Sequence, residues 1–196
     1  MDGARKLKDI IKVLINHLGT GQLIRYWCQD ESRLGLKTLT GKIITLQGIK
    51  PQGTMGWARD NFYLYGLVEP MSGESFFWEF SHLDSLCFQH FLDLFSQTYP
   101  ETLNLIQMDN GSFHKSQNLK WADNIIPIFQ PPYSPELNPI ERLWEHIKSK
   151  LAWEYCDSLT QLRTKLKQVL DSVSNETIAS ICGWDYITSA LFSAAS

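Results

Sequence analysis

Residues 131–150 read "PPYSPELNPIERLWEHIKSK": four prolines fall within nine residues, and the chain then turns directly into a helical pattern. At about 100° per residue, Ile140, Leu143, Trp144, Ile147 and Leu151 form one apolar stripe, with Glu141, Glu145 and Lys148 along its border. A helix anchored by that stripe holds Glu141, in its first turn, at the rim of the core. A purely local account of this glutamate exists. Asn138 can serve as N-cap, Pro139 suits the first helical position because its missing N–H would be unpaired there anyway, and Glu141 falls where a capping-box carboxylate reaches back. The rest of the chain has to decide between a cap and a site residue.

Upstream, "QLIRYWCQD" (22–30) is rich in β-formers, and the period of two puts Ile24, Tyr26, Cys28 and Asp30 on one face. This predicts a buried strand that ends on Asp30. Residues 32–60 read as a loop or an inserted hairpin. "NFYLYGLVEP" (61–70) and "ESFFWEFS" (74–81) follow as strands joined by the turn "PMSGE". Leu83, Leu86, Phe88, Phe91, Leu92 and Phe95 then mark a helix, which Pro100 stops. "TLNLIQMDNG" (102–111) is another strand, ending on Asp109. A helix start around "SFHKSQNLKWA" (112–122), a short strand "NIIPIFQ" (124–130) and a helix in "SLTQLRTKLKQVL" (158–170) complete the pattern, preceded by an amphipathic helix on Leu7, Ile10, Ile11, Leu14 and Leu18.

This order predicts an α/β sheet in which a three-strand meander is followed by crossovers to parallel strands, with helices on both faces. Ligands of such sheets gather at the carboxyl ends of strands, where Asp30 and Asp109 are expected. With 196 residues, 43% of them hydrophobic, one well-covered domain is the default. A net charge of −3 excludes global attraction to nucleic acid, so any DNA contact must use local patches. Cys28, Cys87, Cys156 and Cys182 show neither C-x-x-C nor zinc-ligand spacing, which fits reduced thiols in a cytosolic protein. The charged N-terminus does not read as a signal peptide, and no run of about 18 apolar residues predicts a membrane span.

Taken singly, Asp30 is explained as a strand terminator, Asp109 as part of a turn with Asn110 and Gly111, and Glu141 as a cap. Caps and turns have no reason to converge, whereas two strand-end aspartates and a first-turn glutamate do converge in this sheet. Three hard oxygen donors without histidine or cysteine partners suit Mg²⁺ or Mn²⁺. Two such ions roughly 4 Å apart serve in-line phosphoryl displacement, which makes a phosphodiester the expected substrate class.

The blocks "CQDESRLGL", "MDNGSFHKS" and "PPYSPELNPIERLWEHIK" resemble the signature blocks of Tc/mariner-superfamily transposases from bacterial insertion sequences. Glu141 follows Asp109 by 32 positions (141 − 109), close to the spacing of the second and third acids there. The resemblance extends from about Leu23 to about Lys167. It implies a ribonuclease-H-like DDE (Asp-Asp-Glu) catalytic domain, here 21–172, with a helical lead-in over 1–20 and a C-terminal tail over 173–196 packing on it. Asp30, Asp109 and Glu141 would be the catalytic and metal-binding acids for two Mg²⁺ or Mn²⁺ ions. Asn110, His114, Lys148 and Lys150 are candidate contacts to DNA phosphates.

The implied activity is strand cleavage at transposon ends and transfer of the freed 3′ hydroxyl into target DNA, with TA targets favoured. A homodimer and a cytoplasmic, nucleoid-associated location follow from the same resemblance. Relatives carry helix-turn-helix modules ahead of the catalytic domain; only about two dozen residues precede the first predicted strand here. The expectation is therefore a split reading frame with an upstream helix-turn-helix partner, or a truncated copy. Two alternatives stand beside the enzyme: a silent remnant that dimerises or interacts, and a host nuclease of the same fold.

Overall fold

The alternating pattern that begins at Leu23 builds the central strand, β1 (Leu23–Gly35), and the sheet is arranged on it. The computed structural model describes residues 2–18, 23–36, 60–132, 134–152 and 156–194, with positions 21 and 47. β2 (Asn61–Val68) pairs antiparallel with β1, and β3 (Ser75–Phe80) antiparallel with β2, giving the predicted meander. β4 (Thr102–Met108) and β5 (Ile125–Phe129) add parallel strands on the other side, in the order β3-β2-β1-β4-β5. β5 is an edge strand, the position where Pro127 is tolerated.

β1 does not end at Asp30. Its antiparallel ladder with β2 continues to Gly35↔Asn61, while its parallel pairing with β4 stops at Cys28↔Gln107. Asp30 therefore sits just beyond the point where β4 leaves the ladder, on a strand still held by β2. Most of the predicted loop or hairpin, residues 37–46 and 48–59, lies outside the described residues.

One sheet face is covered by α2 (Ser85–Thr98), whose Phe88, Phe91, Leu92 and Phe95 pack on Trp27, Tyr65, Leu67, Ile106 and Met108. Leu83 and Leu86, expected to mark that helix's apolar side, are exposed; Asp84 is the N-cap and accepts from the N–H groups of Leu86 and Cys87 at 3.0 and 2.8 Å. The expected helix after Asp109 is absent as well. Residues 111–119 form successive turns, with the N–H groups of His114, Ser116 and Leu119 donating to the carbonyls of Gly111, Phe113 and Ser116. Phe113, Leu119 and Trp121 all pack toward α2, at positions a helix would spread around its circumference.

The other face carries α3 (Ile140–Leu151), with α4 (Leu159–Ser172), α5 (Asn175–Cys182), α6 (Asp185–Ala194) and α1 (Asp2–Leu18) around it. Among the described residues no helix is long and apolar enough to cross a membrane. The predicted stripe of α3 is buried at Ile140, Leu143, Trp144, Ile147 and Leu151. Trp144 lies directly over Gly66 of β2, where an added Cβ would stand 2.6 Å from the indole and 2.9 Å from the Phe77 ring. Gly66 is also the ladder partner of Asp30, so its missing side chain leaves room for the indole to reach that aspartate. Gly66→Ala is expected to push the indole aside and destabilise the protein by about 1–3 kcal/mol, the usual range for overpacking. Urea unfolding measures this; unchanged stability would mean that the close approach is not required.

Candidate active site

The first acid, Asp30, reaches the α3 side of the sheet. Its Oδ2 accepts from the indole N–H of Trp144 at 2.9 Å. Burial, then the charges of Glu31 and Glu141, push its carboxyl well above the usual range, against the lowering effect of the Glu31 backbone N–H and the indole.

The second acid, Asp109, follows the end of β4. Its Oδ1 accepts from the Gly111 N–H at 2.7 Å and lies 2.6 Å from Nδ1 of His114. The side chain is 59% exposed, so with Oδ1 doubly held the other oxygen faces outward. The His114 bond keeps this carboxyl below its usual range despite partial burial, helped by the Gly111 N–H. His114 itself is buried, and its Nε2 lies 3.1 Å from Glu31 Oε1. Burial opposes its charge, but the bonds to Asp109 and Glu31 outweigh that and raise its pKa to about 9. His114 is therefore not placed as a surface contact to phosphate, since both ring nitrogens are occupied inside the protein.

The third acid stands at the end of the proline loop. A short 3-10 turn, Pro135–Leu137, leads into α3, and the N–H of Glu141 donates to the Asn138 carbonyl at 3.1 Å. The capping-box expectation fails here. Asn138 instead closes the 3-10 turn, its N–H donating to the Pro135 carbonyl at 2.9 Å, while its side-chain amide donates to the Gln29 carbonyl of β1 at 2.8 Å; among the described residues α3 has no side-chain cap bond. The Leu137 carbonyl accepts both from Gln107 Nε2 at 2.7 Å and from the Tyr186 hydroxyl, and Gln107 in turn accepts from the Tyr26 hydroxyl. These bonds fasten the loop to β1, β4 and α6, and so fix where α3 begins. Among the described residues, the Glu141 side chain has no hydrogen bond or ion pair; partial burial raises its pKa, Lys148 opposes this, and Glu145 and Asp109 add to it.

Asp30, Asp109 and Glu141 thus line one cleft of about 600 Å³, with Asn110, Gly111, Gln130, Asn138 and the prolines 131, 132 and 135. Asn110 contributes to the wall and donates to the Gln130 carbonyl. Gln130 Nε2 and Asn138 Oδ1 are buried without a partner among the described residues, so the residues of the wall include polar atoms that call for water or a ligand. Lys148 is exposed beside the cleft without lining it, and Lys150 points to a separate depression with Leu151, Lys165 and Val169. Among the described residues no three carboxylate, histidine or cysteine side chains stand close enough to form a ready metal cage. The donor set still fits a hard divalent cation. It is all oxygen, and a cation would offset the burial and the neighbouring negative charges that together raise Asp30 and Glu141.

The sequence alone does not reveal the residues that hold this site: Trp144 on Asp30, Glu31 behind His114, and Gln107 and Tyr186 on the Leu137 carbonyl. For Trp144 a signal existed, since a buried indole N–H needs an acceptor and this one sits a helical turn after Glu141.

Residues 25–163 match the family model described as DDE superfamily endonuclease. The chain is 28% identical over 153 residues to the insertion element IS630 39 kDa protein of Shigella sonnei, covering 74% of this chain and 44% of that protein. It is 26% identical over 115 residues to protein y4pE/y4sA of Sinorhizobium fredii, covering 56% of this chain and 85% of that one. The fold matches the Mos1 transposase in a paired-end complex with the left transposon end, with TM-score 0.67 and 16% identity over 100% of this chain and 62% of that one. The HTLV-2 integrase catalytic core follows at TM-score 0.50 and 16% identity, over 78% and 87% of the two chains. The architecture is thus the ribonuclease-H-like one. The chain spans less than half of the IS630 protein and under two thirds of the Mos1 chain.

Because Glu141 makes no cap bond among the described residues and its attraction to Lys148 is opposed by Glu145 and Asp109, Glu141→Gln in chelator is expected to unfold within about 0.5 kcal/mol of the wild type. Loss of a cap would lower stability by about 1 kcal/mol, which thermal or urea melting resolves.

Proposed function

The chain belongs to the DDE superfamily of endonucleases, and we propose that its cleft carries out divalent-metal-dependent cleavage and strand transfer of DNA at transposon ends. The observation that carries this reading is the convergence of three carboxylates, from β1, the end of β4 and the start of α3, on one cleft where Glu141 has no hydrogen-bond or ion-pair partner among the described residues. Asp30, Asp109 and Glu141 would hold two Mg²⁺ or Mn²⁺ ions. When bound, such ions activate the attacking oxygen and offset charge at the phosphorus.

The chain's own residues supply the placement. Trp144 fixes Asp30, the Gly111 N–H fixes one oxygen of Asp109, and the proline loop sets the origin of α3 and hence the reach of Glu141. Asn110 holds the Gln130 carbonyl in the cleft wall. The attacking oxygen would be water in cleavage and the transposon 3′ hydroxyl in strand transfer, with no covalent enzyme intermediate.

Further parts of the proposal rest on family resemblance: TA target sites, action as a homodimer on paired ends, and a helix-turn-helix part that reads the inverted repeats. Mn²⁺ in paired-end complexes of Mos1 supports the choice of metal, as does Mg²⁺ in the corresponding Mos1 structure. Residues 21–172 would form the catalytic domain, with 1–20 leading in and 173–196 packing on it.

Asp30→Asn, Asp109→Asn and Glu141→Gln are each expected to lower Mn²⁺-dependent nicking of a transposon-end duplex by a factor on the order of 10²–10³, the scale for losing one transition-state contact. Full nicking by any variant would remove that residue from the site. Mn²⁺ at about 100 times its Kd should stabilise the wild type by about 2.7 kcal/mol, and the Glu141→Gln variant less; equal shifts in melting temperature would count against Glu141 as a ligand.

A further inference from the structure

We propose that Glu31 and His114 are a positioning pair that holds Asp109 in the orientation its role requires, an inference that rests on the metal-dependent reading above. Glu31 follows Asp30 directly, so the period of two sends it to the opposite sheet face, and its side chain is only 7% exposed. It does not line the cleft. Gln29 Nε2 donates to its Oε1 at 2.7 Å, and the same oxygen lies 3.1 Å from Nε2 of His114. The other ring nitrogen of His114 lies 2.6 Å from Asp109 Oδ1.

Ionised carboxylates only accept hydrogen bonds, so an imidazole between two of them satisfies both only by donating from both nitrogens. The ring cannot turn away. It is packed against Phe88 and Phe113, with ring centroids 4.5 and 4.0 Å apart. Gly111 leaves room for this contact, since a Cβ there would stand 3.0 Å from Asp109 Oδ1 and 3.2 Å from Nδ1. Asp109 Oδ1 is thereby fixed through a buried chain from the far face of the sheet, and its second oxygen is left for the cleft. Carboxylates that bind metals depend on such outer partners for their orientation, and removing one usually weakens metal binding 10–100-fold.

A buried ionic pair also supports the fold, so the test has to separate stability from positioning. Mn²⁺ binding by calorimetry and thermal melting are measured on the wild type, Asp109→Asn, His114→Phe, and the double variant Glu31→Gln/His114→Phe. Phenylalanine fills the same aromatic niche. Alone it strands the buried Glu31 charge and should lower the melting temperature, whereas the double variant removes that charge and should recover most of it. The expected result is Mn²⁺ affinity about tenfold weaker in both His114 variants, including the double variant with its recovered melting temperature. Mn²⁺ affinity restored together with the melting temperature would overturn the proposal and leave the pair a purely structural contact. Unchanged affinity in Asp109→Asn would instead overturn the metal reading itself, and this inference with it.

Discussion

Like charges repel, and the described architecture gathers several of them at one end of a sheet. Burial and the neighbouring carboxylates Glu31 and Glu141 push the Asp30 carboxyl well above its usual range, while partial burial, Glu145 and Asp109 raise Glu141 against the opposing charge of Lys148. Such an arrangement persists only where the surrounding elements are held by interactions that do not involve the acids. The burial of the α3 stripe and the anchoring of the Leu137 carbonyl by Gln107 and Tyr186 are those interactions here. The repulsion that remains is what a bound cation would remove, so the same feature that opposes folding favours cation binding.

Each acid is held differently. Asp30 is tied across the sheet by an indole that fits only because Gly66 has no side chain. Asp109 lies on an exposed turn and is held from behind by a backbone N–H and a buried histidine. Glu141 has no partner of its own among the described residues and depends on where its helix starts. The density of prolines before α3 follows from this: a stiff approach, fastened to β1 through Asn138, transfers the rigidity of the sheet to a side chain that nothing else restrains.

Much of this was legible in the sequence where a periodic pattern met a long element. The stripe from Ile140 to Leu151 and the meander of β1, β2 and β3 are examples, because burial on one face imposes a period on the residues that meet it. The turns after Asp109 were misread as a helix because Phe113, Leu119 and Trp121 answer to the surface of α2 and not to a local period. Asn138 has the residue type of an N-cap for α3, but its amide is engaged by the Gln29 carbonyl, 109 residues away in the chain. The contact of Glu31 with His114 spans 83 residues, and no local spacing rule encodes it. Leu83 and Leu86 fit the helical period yet face solvent, since Asp84 starts α2 and only its later turns lie on the sheet.

The central claim is that the three carboxylates hold divalent metal together. It is tested most directly by a crystal structure of the protein soaked in Mn²⁺, with anomalous difference maps recorded near the manganese edge. The account predicts two peaks roughly 4 Å apart in the cleft, within ligand distance of Asp30, Asp109 and Glu141. An absence of peaks in the cleft at millimolar Mn²⁺, or ions bound with Glu141 turned to solvent, would contradict it.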